Sequence, residues 1–296
     1  MANLKELRVR IGSVRSTQKI TAAMKMVAAS KLRRAQVAAE AVRPYADRME
    51  RMLSLLAEGL PELSAAPPLL AGTGKDDAHL LVPVSADRGL CGSLNANVIR
   101  ETRRRVFGLR EMGKTVTLFC VGRKGRDALR RTFEDAVVGD REGLMRAGVA
   151  FADASAVAGE LVRMYEAGAF DVCTFVFNRF ESVMSQKITT RTVIPVPVPE
   201  AAEAPAAAPS ARALHILEPS DEEILAELLP RNLAVQVYRA LLESFASEQG
   251  SRMTAMDSAT RNAGEMIDSL TLTYNRSRQA QITKELIEII SGAEAI

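Results

Sequence analysis

Ile282-Thr283-Lys284-Glu285-Leu286-Ile287-Glu288-Ile289-Ile290-Ser291-Gly292-Ala293 closes a run from Arg231 to Ile296 that contains no proline. Helical geometry extends such a run to roughly 100 Å if it stays in one piece. A helix of that length cannot be the filling of one compact domain. It reads as a rod, and a rod with a partner implies mechanical or scaffolding work rather than chemistry in a pocket.

Upstream, Ala255, Ala259 and Ala263 fall on one stripe of this helix and permit close approach of another helix. Gly250 and Gly264 each weaken an isolated helix by roughly 1 kcal/mol relative to alanine, so packing has to make good the loss. Ser220 and Glu223 are spaced as a capping box that starts a helix at Asp221, and Pro230 allows a kink or a break. Before the cap stands His215-Ile216-Leu217-Glu218-Pro219, and before that the low-complexity stretch Glu200 to Ala211, which reads as a mobile tether.

The second long helical segment is at the opposite end of the chain, from Leu4 to about Leu60. Its three-and-four spacing picks out Leu4, Leu7, Ile11, Val14, Gln18, Thr21, Lys25, Ala28 and Leu32, a seven-residue pattern with a polar middle. The polar breaks at Gln18 and Lys25 predict a helix that pairs over part of its length and meets other surroundings elsewhere. The net charge of +3 conceals a local imbalance, because Met1 to Arg34 carries nine Lys or Arg residues and Glu6 as its only acid. A helix so charged seeks an acidic partner.

Between the two helices, Pro61, Pro67, Pro68, Gly72 and Gly74 read as a linker, after which the texture changes. Candidate strands are His79 to Val84, Thr115 to Val121, Val172 to Phe177 and Ile188 to Val198. Candidate helices are Ser93 to Glu111, Lys124 to Thr132 and Phe151 to Ala167, and the alternation favours a small α/β domain. The expected organisation is therefore a mixed α+β and α/β fold: a long antiparallel coiled coil of the N- and C-terminal helices with an inserted small α/β, Rossmann-like domain. Its expected parts are an N-terminal coiled-coil helix over 1–60, the globular domain over 77–198, a flexible Ala/Pro-rich linker over 199–212 and a C-terminal coiled-coil helix over 213–296.

Candidate chemistry is sparse. Gly72-Thr73-Gly74-Lys75 resembles the end of a phosphate-binding loop, but position 69 is leucine where that motif needs glycine, and Asp76 stands where a hydroxyl should hold magnesium. Ser85-Ala86-Asp87-Arg88-Gly89-Leu90-Cys91-Gly92 follows a strand and precedes a helix, a place where α/β enzymes put their sites. An enzyme using Asp87 and Cys91 is one reading. A tight structural turn, with glycines supplying unusual backbone angles and Asp87 capping the next helix, is the other. His79 and His215 are the only histidines, which leaves no cluster for a catalytic metal. Cys91, Cys120 and Cys173 are odd in number with no CxxC spacing, as expected of a reducing compartment. No signal peptide and no stretch long enough for a membrane span is expected.

Three blocks resemble the gamma subunit family of the F-type ATP synthase: Gln18-Lys19-Ile20-Thr21 with Ala23 to Lys31, Asp87-Arg88-Gly89-Leu90-Cys91-Gly92, and the closing Ile282-Thr283-x-Glu285-x-x-Glu288-x-x-x-Gly292-Ala293. Ser244 to Arg252 and Met253 to Met256 strengthen the resemblance, which runs over nearly the whole chain. Ala22 stands where the family usually has lysine, Ser93 where a second consecutive glycine is usual, and the regulatory dithiol of chloroplast members is missing.

The resemblance implies a non-catalytic central-stalk rotor whose coiled coil enters a ring of three alpha and three beta subunits, with the epsilon subunit and the membrane-embedded c-ring at its foot. It implies contact of Met24, Lys25, Arg278 and Gln279 with a catalytic beta subunit, and of His215, Ile216, Leu217 and Glu218 with the c-ring and epsilon. It implies no cofactor, metal or nucleic acid, and a peripheral place on the cytoplasmic face of the bacterial inner membrane, held there through the c-ring. The basic N-terminal helix by itself leaves one competitor of another class, a coiled-coil scaffold that binds nucleic acid and loses affinity steeply with salt.

Overall fold

The computed structural model describes residues 4–59, 67–146, 148–197 and 221–294. The expected tether over 199–212, the capping Ser220 and the segment His215 to Glu218 lie outside the described residues. The chain divides into two compact units, Met1–Ala29 with Arg252–Ile296, and Ser30–Ser251. Helix α1 (Leu4–Gly59) and helix α6 (Asp221–Glu294) each contribute to both.

In the Ser30–Ser251 unit, five strands form one sheet in the order β3-β2-β1-β4-β5. They are β1 (Ala78–Pro83), β2 (Thr115–Val121), β3 (Val137–Arg141), β4 (Val172–Phe180) and β5 (Gln186–Ile194). The first four run parallel and β5 returns antiparallel to β4. Helices α3 (Leu94–Glu111), α4 (Arg123–Arg130) and α5 (Phe151–Glu166) make the crossovers that parallel strands require.

Strand β3 was not legible in the sequence, because Val137-Val138-Gly139-Asp140-Arg141 is short, half polar and on the sheet edge. Gly139 has its own reason: a Cβ there would meet the Phe119 ring at 2.7 Å. Strand β5 stops at Ile194, four residues earlier than expected, just before Pro195, which has no N–H for a ladder.

Alternation along the strands sends side chains to two cores. Leu80, Val82, Val84, Phe119, Val121, Cys173, Phe175 and Phe177 pack with α5 and with Leu32, Leu233, Val237, Leu241 and Phe245 of the long helices. Leu81, Val116, Leu118 and Cys120 pack with Val106, Leu129 and Phe133 of α3 and α4. Both faces of the sheet are therefore covered, which explains the near-continuous apolar runs of β1 and β2. Each fully buried Leu or Phe here contributes about 1.5–3 kcal/mol relative to exposure.

The linker expected around residues 61–74 is packed where it is described. Pro68–Ala71 forms one helical turn, α2, whose Leu70 is buried with Met49, Leu53, Leu56, Leu225 and Leu229. Tyr165 donates its hydroxyl to the Pro68 carbonyl at 2.8 Å, and Thr73 donates to Asp171 at 2.6 Å. Pro44 and Pro230 stay inside their helices. An interior proline costs about 3 kcal/mol or more, and the apolar cluster between these parts of α1 and α6 offsets it.

Candidate functional site

Within the unit formed by Met1–Ala29 and Arg252–Ile296, the cross-helix contacts descend on α6 as they ascend on α1. Arg8 donates to the Tyr274 hydroxyl at 2.8 Å, Gln18 lies against Gly264, Thr260 donates to Thr21 at 2.7 Å, and the Lys25 ammonium meets Asp257 at 2.6 Å. The two helices are antiparallel. The α1 residues picked out by spacing, from Leu4 to Ala28, are all buried or half-buried. On α6 the seam is shifted from the expected alanine stripe: Met256 and Ala263 are buried, while Ala255 and Ala259 are half-buried. Gly264 stands at a close approach, since a Cβ there would lie 3.2 Å from the Gln18 amide.

The Lys25 bond holds the Asp257 carboxyl below its ordinary range, with help from Arg261 at 3.5 Å. Asp257 was not singled out from the sequence. Only folding shows that it lies opposite Lys25, although an acid across from a seam lysine was the signal to look for. Met24 is half-buried beside Lys25.

Arg278 and Gln279 lie where α6 runs past the start of α1, and residues 278–291 are exposed throughout. Neither side chain has a hydrogen bond or ion pair to the described residues, whereas nearby Gln281 bonds Glu285 and Lys284 pairs with Glu288. Ile282, Leu286, Ile289 and Ile290 form an exposed stripe, with Ile287 on another side of the same helix. An exposed apolar stripe of this kind marks an interaction surface.

The α/β sheet has a topological switch point between β1 and β4, where doubly wound folds bind ligands beyond the strand ends. Here that crevice is filled. Ser247 of α6 donates to the Asn178 carbonyl at 2.9 Å, Ser251 donates to the Cys91 carbonyl at 2.6 Å, and Asn178 donates to the Leu94 carbonyl at 3.5 Å. Ser244, Ser247, Glu248 and Gln249 are all buried. The polar run that looks odd inside a rod is thus an anchor that seats α6 on the sheet.

The turn after β1 is structural. Asp87 accepts the Arg123 N–H at 3.1 Å and the Gly143 N–H at 2.9 Å, so it caps α4 rather than the helix that comes next in sequence. Ser85 accepts the Gly125 N–H at 2.8 Å. A Cβ on Gly122 would come 1.9 Å from the Ser85 carbonyl oxygen, and φ there is +92°. With its amides engaged by Asp87, Ala86 and Ser85, the start of α4 has no free donors for a phosphate. Left-handed angles fall on Leu90 (φ 63°) and Gly92 (φ 57°) and not on Gly89.

The enzyme reading of this turn does not hold, because Cys91 is buried and receives the Asn95 amide at 3.2 Å. Burial pushes the Cys120 thiol up to about 12, with Asp140 adding to the effect, and raises Cys173 further still. His79 bonds Asp76 at the foot of β1, and His215 lies outside the described residues. Among the described residues no cluster of His, Cys, Asp or Glu is arranged to hold a metal. No described helix is long and apolar enough to cross a membrane.

Comparison with known proteins gives this arrangement a context. A family model described as ATP synthase matches residues 3–296. The ATP synthase gamma chain of Paramagnetospirillum magneticum is 59% identical over 296 residues and that of Rhodospirillum rubrum 58% over 301, each alignment covering all of both chains. Among solved structures, a chain of the Tetrahymena thermophila mitochondrial ATP synthase central stalk/c-ring is 28% identical with a TM-score of 0.61, covering 81% of this chain and 99% of that one. A chain of the Euglena gracilis mitochondrial ATP synthase in rotational state 3 has a TM-score of 0.67 at 21% identity, covering 99% and 94%, and shares the fold. Matched along its whole length by that model and by these relatives, the chain belongs to the ATP synthase gamma chain family.

Proposed function

We propose that this chain is the central-stalk rotor of a proton-translocating F-type ATP synthase. It is turned by the membrane c-ring and drives the catalytic beta subunits through successive conformations. The observation that carries the mechanical reading is the end of α6, which outruns α1 and exposes Ile282, Leu286, Ile287, Ile289 and Ile290 on a stretch of helix that the described residues leave uncovered. Enclosure by a ring of alpha and beta subunits, three of each in this reading, would bury it. Catalysis belongs to the beta subunits and the chain itself is a non-catalytic part of the complex. Its contribution is contact that differs between conformations, the only kind that can bias them.

In this reading Met24, Arg278, Gln279 and the exposed flank of Lys25 face a beta subunit, while His215, Ile216, Leu217 and Glu218 meet the c-ring and epsilon. The complex then sits peripherally on the cytoplasmic face of the bacterial inner membrane. Family membership leaves the nucleic-acid scaffold without support, and in this reading the exposed basic residues of the N-terminal helix face acidic loops of the beta subunits.

The test is rotation. A bead or rod is attached through a cysteine at Met184, which is 80% exposed in the β4–β5 turn, on the chain assembled with its alpha and beta subunits. ATP-driven turning is the expected result. Hydrolysis without rotation, or failure of the chain to assemble with those subunits, would refute the rotor.

A further inference from the structure

The seam between residues 4–29 and 252–294 is apolar at Leu7, Ile11 and Val14 but polar in its middle. Lys25 and Asp257 are 44% and 37% exposed, with their charged atoms 2.6 Å apart, and Thr21 and Thr260 share a hydrogen bond one turn away. Slipping one helix past the other by one turn, about four residues, would set Arg261 or Met253 opposite Lys25, and Gly264 or Met256 opposite Thr21. Slipping by a heptad would bring Gly250 or Gly264 to Lys25. None of these supplies an acid to the lysine, and Arg261 repels it. Apolar side chains discriminate weakly between such registers, whereas a single polar position in a helix seam specifies one.

We propose that Lys25, Asp257, Thr21 and Thr260 form a polar staple that fixes the axial register of the two helices under load. Asp257 is then a positioning residue for torque transfer through this pair. The functional half of this inference rests on the rotor reading, while the register itself does not. The staple also gives the Lys25 charge a task inside the helix pair, distinct from a charge offered to a beta subunit.

The experiment places spin labels at Ser16 and Ser269, both exposed, through S16C and S269C on the full chain, free and in the assembled complex. The parent should give one narrow distance. K25E, which sets two acids against each other, should add a second population in which the helices are displaced axially by one turn, ~5.4 Å, read as a second, separate Ser16–Ser269 distance. In the complex it should lower proton pumping per ATP hydrolysed by about threefold, within the range of a partly exposed ion pair. K25E/D257K/R261Q reverses the pair and removes the flanking repulsion, and it should recover both readouts.

An unchanged distance distribution in K25E, unchanged pumping per ATP, or a reversed pair that recovers neither would overturn the staple. A Lys25 that acted only on a beta subunit would leave the distances of the free chain unchanged in K25E, which also overturns it. Failure of the parent chain to assemble would refute the rotor reading alone, and the distances on the free chain would still decide the register.

Discussion

Replacing Asp87 with alanine tests whether the turn after β1 is architecture. Asp87 is 8% exposed and takes two backbone N–H groups, from Arg123 at 3.1 Å and Gly143 at 2.9 Å. Hydrogen bonds to a charged acceptor contribute about 1.5–3 kcal/mol each, so the pair is worth about 3–6 kcal/mol before rehydration. Water reaches the Arg123 amide at the start of α4 once the carboxylate is gone, which brings the net loss to about 2–4 kcal/mol. Asp87→Asn should do nearly as badly, since an amide keeps one acceptor and turns a donor toward the other N–H.

The reporter is hydrogen exchange at the Gly125 amide, which bonds Ser85 and not Asp87. It should exchange about 30 to 1,000 times faster in Asp87→Ala as α4 loosens from the sheet. Unchanged exchange at Gly125 in both variants would refute the capping argument. A reaction catalysed by the isolated parent chain and lost on substitution would return Asp87 to chemistry.

Gly122→Ala should abolish folding of the Ser30–Ser251 unit, because the added Cβ would meet the Ser85 carbonyl at 1.9 Å in a left-handed backbone; circular dichroism of the purified chain checks this. Gly264→Ala should instead raise helix stability by up to ~1 kcal/mol, since the atom it crowds is the far end of the Gln18 side chain at 3.2 Å, and thermal melting reads the change. Arg278→Leu or Gln279→Leu should slow steady-state ATP hydrolysis in complexes of verified composition without impairing assembly, and normal turnover in both would reduce this part of α6 to a passive shaft. Acid should loosen the helix pair: the folded Asp257 carboxyl lies below its unfolded value of about 3.9, so the Lys25–Asp257 contribution is complete above that value and is lost as pH falls through the lower, folded one. The Ser16–Ser269 label distance followed downward from about pH 6 into the acid range below the unfolded value measures it, and Asp257→Asn should remove that part of the pH dependence.

Local patterns in the chain determined both long helices and four of the five strands, because periodicity of three to four or of two residues reports which face is buried whatever the partner turns out to be. The antiparallel sense of the helix pair, expected from the family resemblance, is fixed by cross-helix contacts such as Arg8 with Tyr274 and Lys25 with Asp257. The seven-residue stripe from Leu4 to Ala28 names the buried positions of α1, and the closing Ile282 to Ala293 names the family. Tertiary structure alone decided which polar residues meet. Asp257 and Lys25, or Ser247 and Asn178, are far apart in sequence, and nothing local to either member of a pair marks the other. The same holds for the short edge strand β3, whose pairing with β2 comes from an existing sheet, and for Asp87, whose capped helix begins dozens of residues downstream. Apolar burial is specified residue by residue, whereas a hydrogen bond or an ion pair is specified only when two distant backbones have been brought to one place.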